Sequence, residues 1–191
     1  MGRLGVNPIR DASRRIVAEL DLGTLGAAKA SLGRYARDTT GRSSSLSDAL
    51  DLLGAARVLA MHMSLGPGEH QALMLLLSKY EVPDRVRDHL LGLELGGCTL
   101  DHVRELFPAG SRAARHVVSV LAALASFEGL REDTRARVMA LGREMGLPAD
   151  LIRVLIEEAQ ISVAATLSGD QATLRRLREL RAAIFELSCS S

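Results

Sequence analysis

Apolar and polar positions alternate with the period of an α-helix along almost the whole chain. Ile9, Ala12, Ile16, Val17 and Leu20 recur at helical spacing behind Pro8, which suits a first helical turn. They predict a helix over residues 8–20. Residues 24–37 carry a weaker pattern, because Gly26 and Gly33 interrupt it. Thr39, Thr40, Gly41, Arg42 and the serines at 43–45 read as a linker. Beyond it, Ser47 can cap a helix that Asp48 and Asp51 favour electrostatically, ending near residue 64. Gly66, Pro67 and Gly68 break that helix, and another follows over residues 69–81. Pro83 opens a short helix to residue 93, Gly96 and Gly97 end it, and Thr99 can cap one that stops at Phe107 and Pro108. Four more are expected at 111–127, 131–145, 149–167 and 170–188, punctuated by Pro148, Ser168 and Gly169. No sustained period-2 run bounded by turns occurs, so the pattern predicts an all-α protein without a sheet.

The pattern also repeats. Residues 52–91 slide onto residues 117–156 without a gap, at an offset of 65. Leu59 and Ala60 fall on Leu124 and Ala125, Met74 on Met139, and Leu76 on Leu141. Val82 and Pro83 fall on Leu147 and Pro148, and Leu90 and Leu91 on Leu155 and Ile156. Each copy reads as apolar helix, glycine-containing turn, amphipathic helix, apolar-Pro, amphipathic helix. An apolar face that wide needs cover, which packing one copy on the other would give. The expected architecture is a helical bundle of two three-helix pseudo-repeats with added N- and C-terminal helices.

Composition agrees with helices. Aromatics make up only 3% of the 191 residues and Trp is absent, so the core must come from Leu, Val, Ile, Met and Ala. The formal net charge is +1, which gives no global field for nucleic acid. The charge is uneven, however. Residues 1–45 hold eight basic and four acidic side chains, a surplus of +4, on a body carrying −3. This suggests a basic helical arm and linker (1–45) before a helical domain (46–191), with the arm meeting an anionic partner or folding onto the body. The two cysteines, Cys98 and Cys189, lack the spacing of a zinc site or a disulfide framework and read as free thiols in a reducing, cytoplasmic setting. The first 20 residues have no continuous apolar stretch, so no signal peptide is expected. The longest mainly apolar run, 117–127, is too short to span a membrane.

One stretch resembles a known family. Ala125-Ser126-Phe127-Glu128-Gly129-Leu130-Arg131-Glu132-Asp133, with Met139-Ala140-Leu141-Gly142-Arg143-Glu144-Met145-Gly146-Leu147-Pro148, looks like the TerB-like (tellurite-resistance-associated) helical domain. The likeness lies in a small-acid-Gly turn, an acidic helix start and a closing Gly-Leu, and covers roughly residues 47–160. It implies an all-α fold with a pseudo-repeat, acting in a bacterial stress-response or membrane-associated assembly. The chain departs from the family's Ala-Asp-Gly turns. The second copy has Phe127-Glu128-Gly129, while the first has His62-Met63-Ser64 with Glu69 as its only nearby carboxylate.

Candidate sites follow from residue type. A hard cation needs several oxygen ligands, and Glu69, Glu128, Glu132 and Asp133 could converge if the two turns meet. The simpler reading is acids favoured by a helix dipole. His62, His70, His89, His102 and His116 include no i, i+4 pair. His62 and His116 are expected to be packed in the bundle and the others solvated. Cys98, before a capped helix, could have an activated thiol but has no partner base. No phosphate loop, dinucleotide turn or nucleophile elbow is present, so neither a cofactor nor a catalytic constellation is expected. Arg10 and Arg14 share a helix face with Arg15 beside them, and so do Arg178 and Arg181, near Arg175 and Arg176. These could contact a partner, although a solvated charged face is the default.

Three functions remain. The favoured one is a non-enzymatic helical protein-interaction or scaffold module with a protein partner or homo-oligomer. The others are a nucleic-acid-associated protein using the basic arm, which lacks aromatic interleaving and a recognition helix, and a metal-binding protein with its site between the repeat turns.

Overall fold

The computed structural model describes residues 7–40, 42–63, 68–127 and 129–186. Among them are ten helices and no strand, as the periodicity predicts. They are α1 (Pro8–Glu19), α2 (Leu22–Thr40), α3 (Leu46–His62), α4 (Gly68–Lys79), α5 (Asp84–Leu91), α6 (Leu100–Leu106), α7 (Arg112–Phe127), α8 (Glu132–Glu144), α9 (Ala149–Ser168) and α10 (Gln171–Glu186).

α7 is central and packs against α3, α4, α8 and most extensively α9. Its Val117, Val118, Leu121, Leu124 and Ala125 are fully or almost fully buried and meet a core that includes Leu50, Leu53 and Leu59 of α3. Complete burial of a leucine is worth about 2 kcal/mol, so this aliphatic seam fixes the bundle.

The basic front segment folds onto the body. Ile9 and Ile16 of α1, and Ala28, Leu32 and Tyr35 of α2, belong to the same core. Asn7 caps α1 by accepting from the N–H of Ile9 at 3.1 Å. Its Nδ2 donates to the His102 carbonyl of α6 at 2.8 Å and to Glu105 at 3.0 Å. α2 runs through Gly26, Gly33, Thr39 and Thr40, longer than its local pattern indicates. Burial of one face outweighs the glycine cost, and Thr39 and Thr40 return their hydroxyls to the carbonyls of Tyr35 and Ala36. Ser45, rather than Ser47, caps α3, in a box with Asp48.

Several helix ends fall at the 65-residue offset. α3 stops at His62 and α7 at Phe127, while α4 stops at Lys79 and α8 at Glu144. Pro83 and Pro148 precede α5 and α9. The cap bonds correspond too: the Val82 N–H donates to Leu77 at 3.0 Å, and the Leu147 N–H to Gly142 at 3.1 Å. These are the reverse-turn bonds that close a helix through a left-handed residue.

Candidate functional site

A group of buried or half-buried titratable side chains, Tyr35, His116 and Glu158 among them, lies between α2, α4, α7, α9 and α10. A pocket of about 70 Å³ lies there. Leu75 and Leu76 of α4, Val120, Ala123 and Phe127 of α7, and Val163 of α9 form its apolar walls. Its polar lining comes from Tyr35, Thr39, Lys79, Tyr80, His116, Glu158, Ser162 and Arg181, among others. Lys79 and Leu75 are exposed at the mouth, whereas Glu158, Ser162 and Tyr35 are buried.

The helix periods explain the arrangement. Glu158 and Ser162 lie one turn apart on α9, on the flank of the stripe made by Leu155, Ala159 and Val163. α10 crosses that flank and lays Arg181 against both. The Arg181 Nε donates to Glu158 at 2.7 Å, and its Nη2 donates to the Ser162 hydroxyl at 2.6 Å. The Glu158 side chain is only 2% exposed and that of Arg181 16%. Burial raises the Glu158 carboxyl above its usual range, and the Arg181 charge opposes that shift.

His116 sits on the other side, stacked on Tyr35 at 6.0 Å, with its Nε2 3.0 Å from the Thr39 hydroxyl. Burial, reinforced by the charges of Arg181 and Arg112, holds its pKa down at about 3, so the ring is neutral. Tyr35 meets Tyr80 edge-on at 5.2 Å. Burial pushes the Tyr80 phenol up to about 12, with help from the Asp38 carboxylate. Burial also raises Tyr35 well above an ordinary phenol. The Lys79 ammonium titrates lower than usual, through partial burial and then repulsion from Arg181.

The residues singled out in the sequence are placed differently from one another. Arg181 belongs to the buried ion pair. Arg178, on the same helix, bonds to Asp38 of α2 at 3.4 Å and remains half exposed. Arg10 reaches the buried Asp51 at 3.3 Å. Arg14 and Arg15 are exposed on α1, and Arg15 lines a groove with Glu19, His89 and Glu94. The five arginines therefore do not gather on one surface. Glu132 and Asp133 are exposed at the start of α8, where Asp133 pairs with Arg131 at 3.3 Å. Glu128 and the side chain of Glu69 lie outside the described residues. Among the described residues no group of three His, Cys, Asp or Glu side chains could hold a metal. Beside the first turn, the Met63 carbonyl accepts from Arg137 of α8 at 2.7 Å, so a guanidinium occupies that position.

Other residues also depart from expectation. His62 is exposed rather than packed. His89 pairs with Glu19 at 2.8 Å, and His102 accepts from the Thr99 N–H at 3.0 Å. Burial raises the Cys98 thiol, the opposite of activation. Cys189 lies outside the described residues. No helix among the described residues is long and apolar enough to cross a membrane.

Compared with family models, with characterised proteins and with solved structures, the chain matches none of them. The fold and pocket together define an all-α helical bundle with a polar-floored, apolar-walled recess.

Proposed function

We propose that this protein is a non-enzymatic helical interaction module that acts by recognition, as a homo-oligomer or within a hetero-complex. One observation carries the reading. The deep polar groups Glu158, Ser162, Arg181 and His116 already have hydrogen-bond partners, and the His116 and Tyr80 titrations are driven away from neutrality. Glu158 and Ser162 are engaged by Arg181, and His116 by Thr39. His116 stays neutral down to about pH 3 and Tyr80 up to about 12. A general acid or base works best with a pKa near the working pH, which His116 and Tyr80 lack, and the Glu158 carboxyl, raised by burial, is tied up by Arg181. Preorganised polar groups between apolar walls suit recognition instead.

A protein partner has a place to bind. Val154 and Ile161, seven residues apart on one face of α9, are 45% and 49% exposed, and Leu167 farther along is 66% exposed. Placement in a cytoplasmic stress-response or membrane-associated assembly, bacterial in type, rests on the resemblance of residues 125–148 to TerB-like modules.

Light scattering combined with cross-linking of Val154→Glu and Ile161→Glu against the parent protein tests this reading. Self-association or a cross-linked partner that both substitutions abolish is the expected result. A monomer at all concentrations with no cross-linked partner overturns it.

A further inference from the structure

Charge in the pocket is balanced except at its mouth. Arg181 is matched by Glu158 and Arg178 by Asp38. Lys79 is the third cation of the group and has no carboxylate ion pair among the described residues. Its ammonium donates to the Thr166 hydroxyl at 3.4 Å, a long bond, and lies 5.8 Å from the Tyr80 ring centre. Partial burial and then the neighbouring guanidinium of Arg181 disfavour its charge, while the Asp38 carboxylate, already bonded to Arg178, favours it from a distance. An anion arriving at the mouth would therefore gain the Lys79 charge without first breaking an ion pair. A cation would meet the Lys79 charge directly, since Arg178 and Arg181 already engage the nearby carboxylates of Asp38 and Glu158.

Below the mouth the walls suit an apolar, flat body. Leu76, Ala123, Phe127 and Val163 flank it, and the Tyr35–Tyr80 pair supplies aromatic edge and face. Glu158, Ser162, Arg181 and His116 already have partners, so they ask little of a ligand beyond a fit. A pocket of about 70 Å³ holds roughly five waters, or a body of about six to nine non-hydrogen atoms. A fatty chain of biological length or a nucleotide would leave most of its atoms outside the recess.

We infer that this pocket binds a small aromatic monocarboxylate, its ring between the α4, α7 and α9 walls and its carboxylate at the Lys79 ammonium. This deepens the recognition reading by naming a ligand class for the same protein. The two fail separately, because the α9 cross-linking result does not depend on the pocket being filled.

Benzoate is the direct probe, with benzamide as the neutral isostere and benzylamine as the cationic one. Amide NMR titration of the full chain reports both site and affinity. Benzoate is expected to move amides near 75–80, 119–123 and 162–166, with a dissociation constant on the order of 1 mM, as a ligand this small allows. Benzamide binds about fivefold more weakly, and benzylamine more weakly still. Lys79→Met, at an exposed position, lowers benzoate affinity to the benzamide level and leaves benzamide unchanged. Ala123→Leu, which fills the recess, removes both while the amide spectrum stays dispersed. The inference is overturned if benzoate does not bind, if its shifts map elsewhere, if benzylamine binds as tightly, or if Lys79→Met leaves benzoate affinity intact.

Discussion

Glu81 and Gly146 occupy matching left-handed positions at the ends of α4 and α8, with φ of 55° and 74° and sequence numbers 65 apart. Each closes its helix through the same bond, the Glu81 N–H donating to Ser78 and the Gly146 N–H to Arg143. Their surroundings differ. A Cβ on Gly146 would lie 2.8 Å from the Gly110 nitrogen and 2.9 Å from the Ala109 Cβ. Glu81 is exposed and holds Arg34 at 2.8 Å. Gly146→Ala therefore meets both the left-handed penalty and a backbone clash, and should destabilise by about 2 kcal/mol or more. Glu81→Gly relieves the penalty and loses only an exposed ion pair, so it should be neutral or stabilising by up to about 1 kcal/mol. Urea unfolding of the two variants checks the contrast.

A second glycine sets how closely α8 approaches α9. A Cβ on Gly142 would meet three carbons of Ile152 at 2.8–3.1 Å. On an exposed helix face, Gly→Ala gains up to about 1 kcal/mol. Here the added methyl must displace a buried isoleucine, so Gly142→Ala should cost about 1–3 kcal/mol. Gly142→Ala with Ile152→Val should recover part of that loss in the same unfolding assay.

Breaking the pocket's ion pair should be more harmful than deleting it. Arg181→Met leaves the Glu158 carboxylate buried without its cation and should cost about 3 kcal/mol. Arg181→Met combined with Glu158→Leu removes both charges and should return to within about 1 kcal/mol of the parent. A thermodynamic cycle over the two single variants and the double variant measures the coupling.

Most helix boundaries were legible from local signals, although Ser47 marked the α3 start two residues late. Pro8, Pro83, Pro148, Thr99 and Gly169 each stand at the boundary they suggest. α2 was not fully legible, because Gly26, Gly33 and Thr39 argue locally against a helix. Its continuity comes from burying Ala28, Leu32, Tyr35 and Ala36 against distant helices. The pocket was less legible still. Tyr35, His116, Glu158 and Arg181 come from four helices, and no spacing joins them. Arg181 reads from sequence as one of a row of surface arginines, and only the crossing of α10 over α9 buries it. One local signal did exist: Glu158 lies within a run in which Leu155, Ile156, Ala159 and Ser162 are all buried, so a carboxylate there needs a partner.

His116 tests the central claim most directly, since a recognition site without a poised acid or base requires this ring to stay neutral. Its folded pKa of about 3 lies below the ordinary 6.5, so the unfolded chain binds the proton more readily. The stability it contributes is complete above about pH 6.5 and is lost on acidification toward pH 3, by up to about 1.4 kcal/mol per pH unit. Glu158 acts in the opposite sense, because its raised carboxyl favours the folded state as it protonates, and it offsets part of the loss. His116→Gln should flatten the slope. The decisive measurement is an NMR titration of the His116 ring from pH 8 downward. No protonation above about pH 5 while the protein stays folded is the expected result, and a midpoint between about 6 and 7 would contradict the account.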